Sequence, residues 1–183
     1  MRLKVDYSEL ELPGVWTAQS KLFHDERGHF REWFQREEFK RTSGIDFEVV
    51  QSNCSVSQKN VLRGIHYSKA AEGQAKWVTC LRGSILDVVI DLRKNSTHFG
   101  KSIMLNIDSK VGNCIYIPDG FGHGFMSLED GSLVSYNLTS GYQPNQEFTL
   151  NLFDEDLGLN WPCAQPILSD RDRDAPSLKE VSW

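Results

Sequence analysis

Short apolar and β-branched runs follow one another from about residue 48 to residue 140, and Gly, Pro, Asn and Asp separate them. Most runs have the length of a strand and are shorter than a typical helix. They read FEVVQSNCSVS, KWVTCLRGSILDVVIDLR, KSIMLNI, NCIYIP, HGFMSL and LVSYNLTS. This rhythm predicts an antiparallel sandwich or barrel, and the fold class is therefore all-β.

Helical periodicity is confined to two short segments. In REEFKRTSG, Phe39 follows charged residues and Gly44 provides a stop signal. The segment SLKEVSW predicts a second short helix near the C-terminus. Because no repeat or linker divides the chain, we expect a single domain over residues 1–183, with an irregular tail after about residue 158.

The segment KWVTCLRGSILDVVIDLR predicts a hairpin with a two-residue turn at 82–83. In that register Lys76 and Asp87 lie diagonally on one face. The other face, directed to the core, carries Leu86, Val88, Ile90 and Leu92. Charges that alternate with aliphatic residues usually mark a solvated outer surface, but in a barrel mouth they would line a polar pocket.

Composition restricts the partners and the compartment. The net charge of −5 argues against a nucleic-acid surface. No apolar run approaches the ~20 residues of a membrane helix. There is neither a C-x-x-C pair nor a signal-peptide pattern, so we expect reduced thiols and a cytoplasmic location. The cysteines are Cys54, Cys80, Cys114 and Cys163.

The segment GNCIYIPDGFGHGFMS has the spacing G-x5-P-x-G-x2-H, which ends at His123. This pattern resembles the second motif of the cupin superfamily. The resemblance implies a cupin-type double-stranded β-helix (jelly roll) with an N-terminal strand extension and short helices. A metal-binding cupin would add two histidines at H-x-H spacing, whereas GIHYSKAAEGQAKW contains His66 alone. We therefore expect no metal, and His66 is left as a core histidine or a base.

Four ionisable residues, His66, Lys76, Asp87 and His123, fall on predicted strands and suit proton chemistry. Removing a proton from carbon requires a neighbouring carbonyl and a group that stabilises the enolate. A neutral imidazole is a suitable base near pH 7, and an ammonium suits the developing oxyanion. An epimerase also needs an acid on the opposite side of the substrate, and LVSYNLTSGY offers two tyrosines.

Seven blocks of sequence, in order and over nearly the whole chain, resemble the deoxysugar 3,5-epimerases typified by dTDP-4-dehydrorhamnose 3,5-epimerase. The blocks are DERGHFRE, VVQSNCSVSQKNVLRGIHYS, QAKWVTCLRGSILDVVIDLR, THFGK, YIPDGFGHGFMSLED, DEDLGLNWP and PILSDRD. The resemblance implies inversion of C3 and C5 of a dTDP-linked 4-keto-6-deoxyhexose, without a cofactor or a metal. It also implies a homodimer in which the N-terminal segment, about residues 1–47, contributes exchanged strands.

The resemblance also implies roles for individual residues. His66 would be the base, Asp170 would orient it, and Tyr136 would be the acid on the opposite face. Lys76 would stabilise the enolate oxygen, and Asp87 would keep that lysine charged. The nucleotide, pyrophosphate and sugar would contact Arg27, Phe30, Glu32, Gln51, Asn53, Arg63, His123, Tyr142, Glu147 and Arg171.

Arg63 and His66 would point to opposite faces of an unbroken strand. Both can face one pocket only if the backbone bulges between them, and Gly64 is the residue that permits it. The loop SKAAEG after Tyr67 departs from the Gln and proline-containing loop of many family members. Four alternatives stay open: a mono-epimerase acting on C3 or C5, a sugar 3,4-ketoisomerase, a metal-dependent oxygenase and a non-catalytic sugar-binding cupin.

Overall fold

A computed structural model describes residues 5–181 as two facing antiparallel sheets and a separate two-stranded hairpin. The six-stranded sheet has the order β1 (Val5–Glu9), β2 (Trp16–Ser20), β10 (Asn113–Ile117), β7 (Lys76–Arg82), β12 (Ser132–Leu138) and β5 (Gln51–Ser57). The five-stranded sheet has the order β13 (Glu147–Thr149), β6 (Leu62–Ser68), β11 (Phe121–Ser127), β8 (Ser84–Asp91) and β9 (Ser102–Asp108). The hairpin is β3 (Phe23–Asp25) and β4 (Gly28–Phe30). The predicted all-β class is confirmed.

Three apolar clusters hold the sheets together. The space between the sheets is filled by residues such as Val78, Ile85 and Phe125. The predicted apolar face of β8 is confirmed, but it packs beneath the C-terminal segment rather than between the sheets. The third cluster lies on the outer face of the six-stranded sheet, where Trp77 and Phe39 are buried. Because both sheets are covered on both faces, side chains that point into their interior are shielded from water.

The predicted first helix is confirmed as α1 (Arg36–Ser43), and Gly44 ends it with a φ of 77°. Single 3-10 turns span Pro144–Gln146 and Glu155–Leu157. Beyond Gly158, the helix α2 (Asp170–Arg173) is a single turn. No helix within residues 5–181 is long and apolar enough to cross a membrane.

The prediction of a helix at SLKEVSW is wrong for its described part, which forms a turn up to Val181, while residues 182 and 183 lie outside the described range. The Glu180 carboxylate accepts hydrogen bonds from the amide and the hydroxyl of Ser177, both at 2.8 Å. The Glu180 amide also donates to the Ser177 carbonyl oxygen at 3.1 Å, which closes a single turn.

The predicted hairpin between β7 and β8 is also wrong, because the two strands lie in different sheets. β7 pairs with β10 and β12, whereas β8 pairs with β9 and β11. Gly83 has a φ of 77°, and a Cβ there would lie 2.7 Å from the Ser132 hydroxyl. The chain turns at this glycine from one sheet to the facing sheet, so Lys76 and Asp87 approach each other across the interior.

The N-terminal strands join the sheet of their own chain, since β2 pairs with both β1 and β10. β1 is an edge strand of this sheet, and the predicted exchange of N-terminal strands with a second copy stays a prediction. The β3–β4 hairpin forms a sheet of its own.

Candidate active site

Two adjoining cavities of about 130 and 140 Å³ open between the sheets. We call their joint volume the cleft. The cavities share His66 from the five-stranded sheet, and Lys76 and Tyr136 from the six-stranded sheet. The barrel-mouth interpretation of the alternating charges is therefore the one that the structure favours.

His66 forms a tight pair with a carboxylate. Its Nε2 lies 2.7 Å from Oδ1 of Asp172, in α2. The imidazole is 40% exposed toward the cleft, whereas the carboxylate is 5% exposed. Burial alone would raise the pKa of Asp172, but hydrogen bonds from His66, Ser169 and the Gly64 amide outweigh it and hold the pKa below the usual value. The carboxylate therefore stays ionised and orients the imidazole.

The sequence-based assignment of Asp170 to this contact is wrong. The Asp170 side chain is 91% exposed and pairs with Arg173 at 2.8 Å. In a one-turn helix, residues two apart point in different directions, so Asp170 and Asp172 cannot both face His66. The pattern Ser169-x-x-Asp172 was the available signal, since a serine three residues before an acidic residue indicates a fixed helix start.

Lys76 is 7% exposed, and its Nζ donates to the His66 carbonyl oxygen at 3.2 Å. Burial lowers the pKa of Lys76 to about 8, while the charges of Glu147 and, to a smaller extent, Asp87 act in the opposite direction. The predicted support of Lys76 by Asp87 is thus present, and Glu147 is the larger contributor. The result is an ammonium inside the cleft at neutral pH.

A second histidine–carboxylate pair lies beside the first. His123 Nε2 is 2.8 Å from Asp87 Oδ2, and Asp87 is fully buried. Burial raises the pKa of Asp87, whereas His123 and Lys76 act to lower it. His123 and His66 are direct cross-strand partners on β11 and β6. Both imidazoles are therefore held on the same face of the five-stranded sheet.

Tyr136 faces this sheet from the other side of the cleft. Burial raises its pKa, and the nearby Arg63 guanidinium opposes that shift. Arg63 is held by Ser57 Oγ at 3.1 Å and lines the same cavity. Because a tyrosine with a high pKa keeps its proton at neutral pH, Tyr136 can serve as a proton donor.

The predicted bulge at Gly64 is confirmed. His123 lies opposite His66, and Phe125 lies opposite Arg63, so β6 has one more residue than β11 between the two pairs. Gly64 has a φ of 112°, and a Cβ there would lie 2.7 Å from both the His123 carbonyl oxygen and Gly124 Cα. The extra residue turns Arg63 and His66 into one cavity.

The outer part of the cleft contains half of the predicted substrate-binding residues. Gln51 donates to Asn53 Oδ1 at 3.0 Å and accepts from the Tyr142 amide at 2.8 Å. Arg171 is fixed by Thr149 Oγ1 at 2.8 Å and by the Glu147 carbonyl oxygen at 2.9 Å. All of these residues except Thr149 line one cavity together with His66. The structure therefore brings Gln51, Asn53, Tyr142, Glu147 and Arg171 together.

The structure does not bring Arg27, Phe30 and Glu32 to the cleft, because neither cavity is lined by them. The segment that follows the β3–β4 hairpin is anchored on the outer face of the six-stranded sheet. There Arg31 donates to the Cys80 carbonyl oxygen at 3.0 Å, and Trp77 Nε1 donates to the Trp33 carbonyl oxygen at 3.1 Å. Lys76 and Tyr136 project from the inner face, so the sheet separates the hairpin from its own cleft.

Several lining residues were not predicted from the sequence: Ser55, Gln74, Gly124, Phe125, Leu138, Ser169 and Asp172. For Ser55, strand alternation with Gln51 and Asn53 was a usable signal. Phe125 shares the face of His123 in the same way. Within residues 5–181, no three His, Cys, Asp or Glu side chains form a group that could hold a metal ion.

Comparison with known proteins places the chain among sugar-nucleotide enzymes. A sequence model of the family described as dTDP-4-dehydrorhamnose 3,5-epimerase matches residues 9–180. The chain is 42% identical over 170 residues to a dTDP-4-dehydro-6-deoxyglucose 3-epimerase from a Streptomyces species, covering 92% of this chain and 87% of that protein. It is 41% identical over 176 residues to a dTDP-4-dehydrorhamnose 3,5-epimerase of Mycobacterium tuberculosis, covering 94% and 87%.

Among solved structures, a dTDP-6-deoxy-D-glucose 3,5-epimerase from Legionella pneumophila in complex with dTDP-4-keto-L-rhamnose matches with a TM-score of 0.93. The sequence identity is 33%, and the match covers 98% of this chain and 95% of that one. With these matches, the fold and the facing proton-transfer groups define an isomerase, an epimerase built on the cupin jelly roll. Within that class, the chain belongs to the dTDP-4-dehydrorhamnose 3,5-epimerase family. The family and the cupin fold implied by the sequence are confirmed.

Proposed function

We propose that this protein inverts both C3 and C5 of a dTDP-linked 4-keto-6-deoxyhexose in deoxysugar biosynthesis. One observation carries the proposal. A histidine on one sheet, paired with the Asp172 carboxylate, faces a protonated tyrosine on the other sheet, and a buried ammonium lines the same cavity. A base and an acid on opposite sides of one substrate are what inversion at carbon requires.

In the proposed mechanism, His66 removes the proton from a carbon next to the C4 ketone. The electron pair of that C–H bond forms the enolate double bond, and the negative charge moves to the carbonyl oxygen. The Lys76 ammonium stabilises this oxygen, because a charge in a site shielded from water acts more strongly than in solution. Tyr136 then donates its proton to the opposite face of the carbon, which inverts the centre.

The remaining cleft residues are proposed to bind the substrate. His123, oriented by Asp87, lies beside the reacting centre, next to Arg63. Arg63 and Arg171 offer planar donors that suit a pyrophosphate. Gln51, Asn53, Tyr142 and Glu147 line the outer cavity, where the sugar and the nucleoside would lie.

We also propose a homodimer in which the β3–β4 hairpin of one subunit reaches the cleft of the other. Arg27, Phe30 and Glu32 cannot line their own cleft through the sheet, so a role in binding requires a second copy. Phe30 is 59% exposed and is free to stack on a base. The edge strand β5 presents the exposed Val56, and the preceding Val50 is also exposed, which favours contact with another subunit.

Further parts of the proposal concern the whole chain. We propose that residues 1–183 act as one domain, with residues 1–47 contributing to the dimer. A cytoplasmic location is supported by the four free cysteines. The net charge of −5 supports a small-molecule substrate rather than a nucleic acid.

The test is proton NMR of dTDP-4-keto-6-deoxyglucose in heavy water with the purified protein. We expect deuterium at both C3 and C5 and formation of the doubly inverted product. His66→Ala should abolish deuterium uptake, because no base remains, while His98→Ala serves as the control, since His98 lines neither cavity. Exchange at one carbon would identify a mono-epimerase, and exchange at neither would refute the proposed function.

A further inference from the structure

The carboxylate of Asp172 is held on more than one side. Oδ1 contacts His66 Nε2 at 2.7 Å, and Oδ2 accepts a hydrogen bond from Ser169 Oγ at 2.8 Å. The backbone amide of Gly64 donates to the same carboxylate. A buried carboxylate with three donors has little freedom to rotate, so its orientation is set before the substrate binds.

Ser169 is tied to Asp172 by two hydrogen bonds. It is the N-cap of α2, in an extended conformation, and its hydroxyl oxygen accepts from the Asp172 amide at 3.1 Å. The same hydroxyl donates its proton to Asp172 Oδ2. A serine hydroxyl can donate and accept at once, so one side chain fixes both the backbone and the carboxylate of Asp172.

The position of Ser169 is fixed in turn by the strand that carries the histidine. Ile167 forms a parallel bridge with Val61, just before β6. The Leu62 amide donates to the Ile167 carbonyl oxygen at 3.0 Å, and the Ile167 amide donates to the Asn60 carbonyl oxygen at 2.9 Å. These bonds hold the C-terminal segment beside the start of β6, at Leu62, four residues before His66.

We infer that Ser169 is a positioning residue for the base: its hydroxyl holds the Asp172 carboxylate in the orientation that directs the His66 imidazole into the cleft. This inference rests on the proposed function. Ser169 acts through Asp172, so its removal affects the rate of proton transfer more than substrate binding. Without the hydroxyl, Oδ2 loses a donor and the carboxylate can rotate away from His66.

The experiment is a double-mutant cycle of Ser169→Ala and Asp172→Asn, with kcat and KM measured on dTDP-4-keto-6-deoxyglucose and deuterium uptake followed by NMR. We expect Ser169→Ala to lower kcat about tenfold with KM within about twofold of the parent. In the Asp172→Asn background the same change should have no further effect. Ser169→Thr should restore the rate, because threonine keeps the hydroxyl and also caps helices.

Ser177→Ala is the matched control, since it removes a serine–carboxylate hydrogen bond, to Glu180, in the same C-terminal segment. Urea unfolding of each variant gives its folded fraction, and kcat is calculated per folded molecule. A tenfold loss in both backgrounds, or a loss confined to KM, would overturn the inference. If the parent itself shows no exchange, the proposed function fails; if it exchanges and Ser169→Ala equals Ser177→Ala, this inference alone fails.

Discussion

His66 and Asp172 are separated by 106 positions in the sequence, yet their Nε2 and Oδ1 atoms lie 2.7 Å apart. The imidazole projects into the cleft from β6, the second strand of the five-stranded sheet, and the carboxylate reaches it from a one-turn helix in the C-terminal segment. That segment packs on the sheet through Leu157, Leu168 and Leu178. Its burial therefore supports the geometry of the active site as well as stability.

The first prediction separates Asp170 from Asp172, two of the three aspartates in the run DRDRD. Asp172→Asn should lower kcat by between about 10² and 10⁴, because an amide cannot stabilise the imidazolium and can favour the wrong imidazole tautomer. Asp170→Asn should stay within about twofold, because the exposed pair of Asp170 with Arg173 contributes little. Steady-state kinetics of both variants is the measurement. Equal losses in the two variants would contradict the assignment.

The second prediction concerns the proposed acid. Tyr136→Phe should retain deuterium uptake while inversion falls at least about tenfold, because His66 can still remove and return a proton on its own side. The inversion at C5 should fall more than proton abstraction does. Tyr142→Phe is the comparison at the outer rim, where Tyr142 is 59% exposed, and we expect it to change kcat less than about twofold. NMR of exchange and of product in the same sample distinguishes the two.

The third prediction is a loss of activity at alkaline pH. Burial lowers the pKa of Lys76 to about 8, so the ammonium loses its proton earlier than a free lysine does and kcat/KM should fall as pH rises through about 8. Lys76→Met should have a kcat/KM lower by between about 10² and 10³, and this kcat/KM should not fall near pH 8. The exposed Lys59→Met should keep the parental profile. If kcat/KM of Lys76→Met still falls near pH 8, the assignment is contradicted.

The same pKa shift has a consequence for stability. Between the folded pKa of about 8 and the ordinary value of 10.5, the unfolded chain keeps the lysine proton while the folded protein releases it. The contribution of Lys76 to the free energy of unfolding therefore rises with pH across this window. Urea unfolding at pH 8 and pH 10 should show that the rise is smaller in Lys76→Met than in the parent.

The fourth prediction tests the bulge. Gly64→Ala should lower the free energy of unfolding by about 3 kcal/mol or prevent folding, because a Cβ at a φ of 112° would overlap backbone atoms of β11. Gly158→Ala is the matched control, since its φ is also positive, at 59°, but no atom lies within 4 Å of the added Cβ. We expect a loss of about 1 kcal/mol there. Equal losses in urea unfolding would contradict the close approach of β6 and β11.

The fifth prediction tests the hairpin across the proposed dimer. Arg27→Ala/Phe30→Ala should weaken substrate binding, and His66→Ala should remove the base, so each homodimer has little activity. A heterodimer of the two would contain one complete site, made of an intact cleft and an intact hairpin. Co-expression with different tags should therefore recover about a quarter of the parental activity if subunits mix at random. No recovery from folded heterodimers would exclude a hairpin that serves the partner.

The local patterns of the sequence determined most of the strands and the first helix, whereas most of the cleft residues were implied by the resemblance of its sequence blocks to a known family. Period-two alternation defines the faces of β7 and β8, because successive side chains of a strand point in opposite directions. The bulge at Gly64 also follows from the sequence once Arg63 and His66 are required to face one pocket, since glycine adopts the necessary conformation. These inferences depend on neighbouring residues, and local sterics are sufficient for them.

Only the tertiary structure decided which strands pair and which side chains meet. Arg82-Gly83 reads as a hairpin turn, but the chain crosses there to the facing sheet, because β7 is already flanked by β10 and β12. The choice between Asp170 and Asp172 depended on how a one-turn helix docks beside Gly64. The hairpin of residues 23–30 lies on the far side of the sheet from its own cleft, because the segment that follows it is anchored on the outer face through Arg31 and Trp33. Such contacts join residues distant in the chain, and their energy depends on packing that no local pattern encodes.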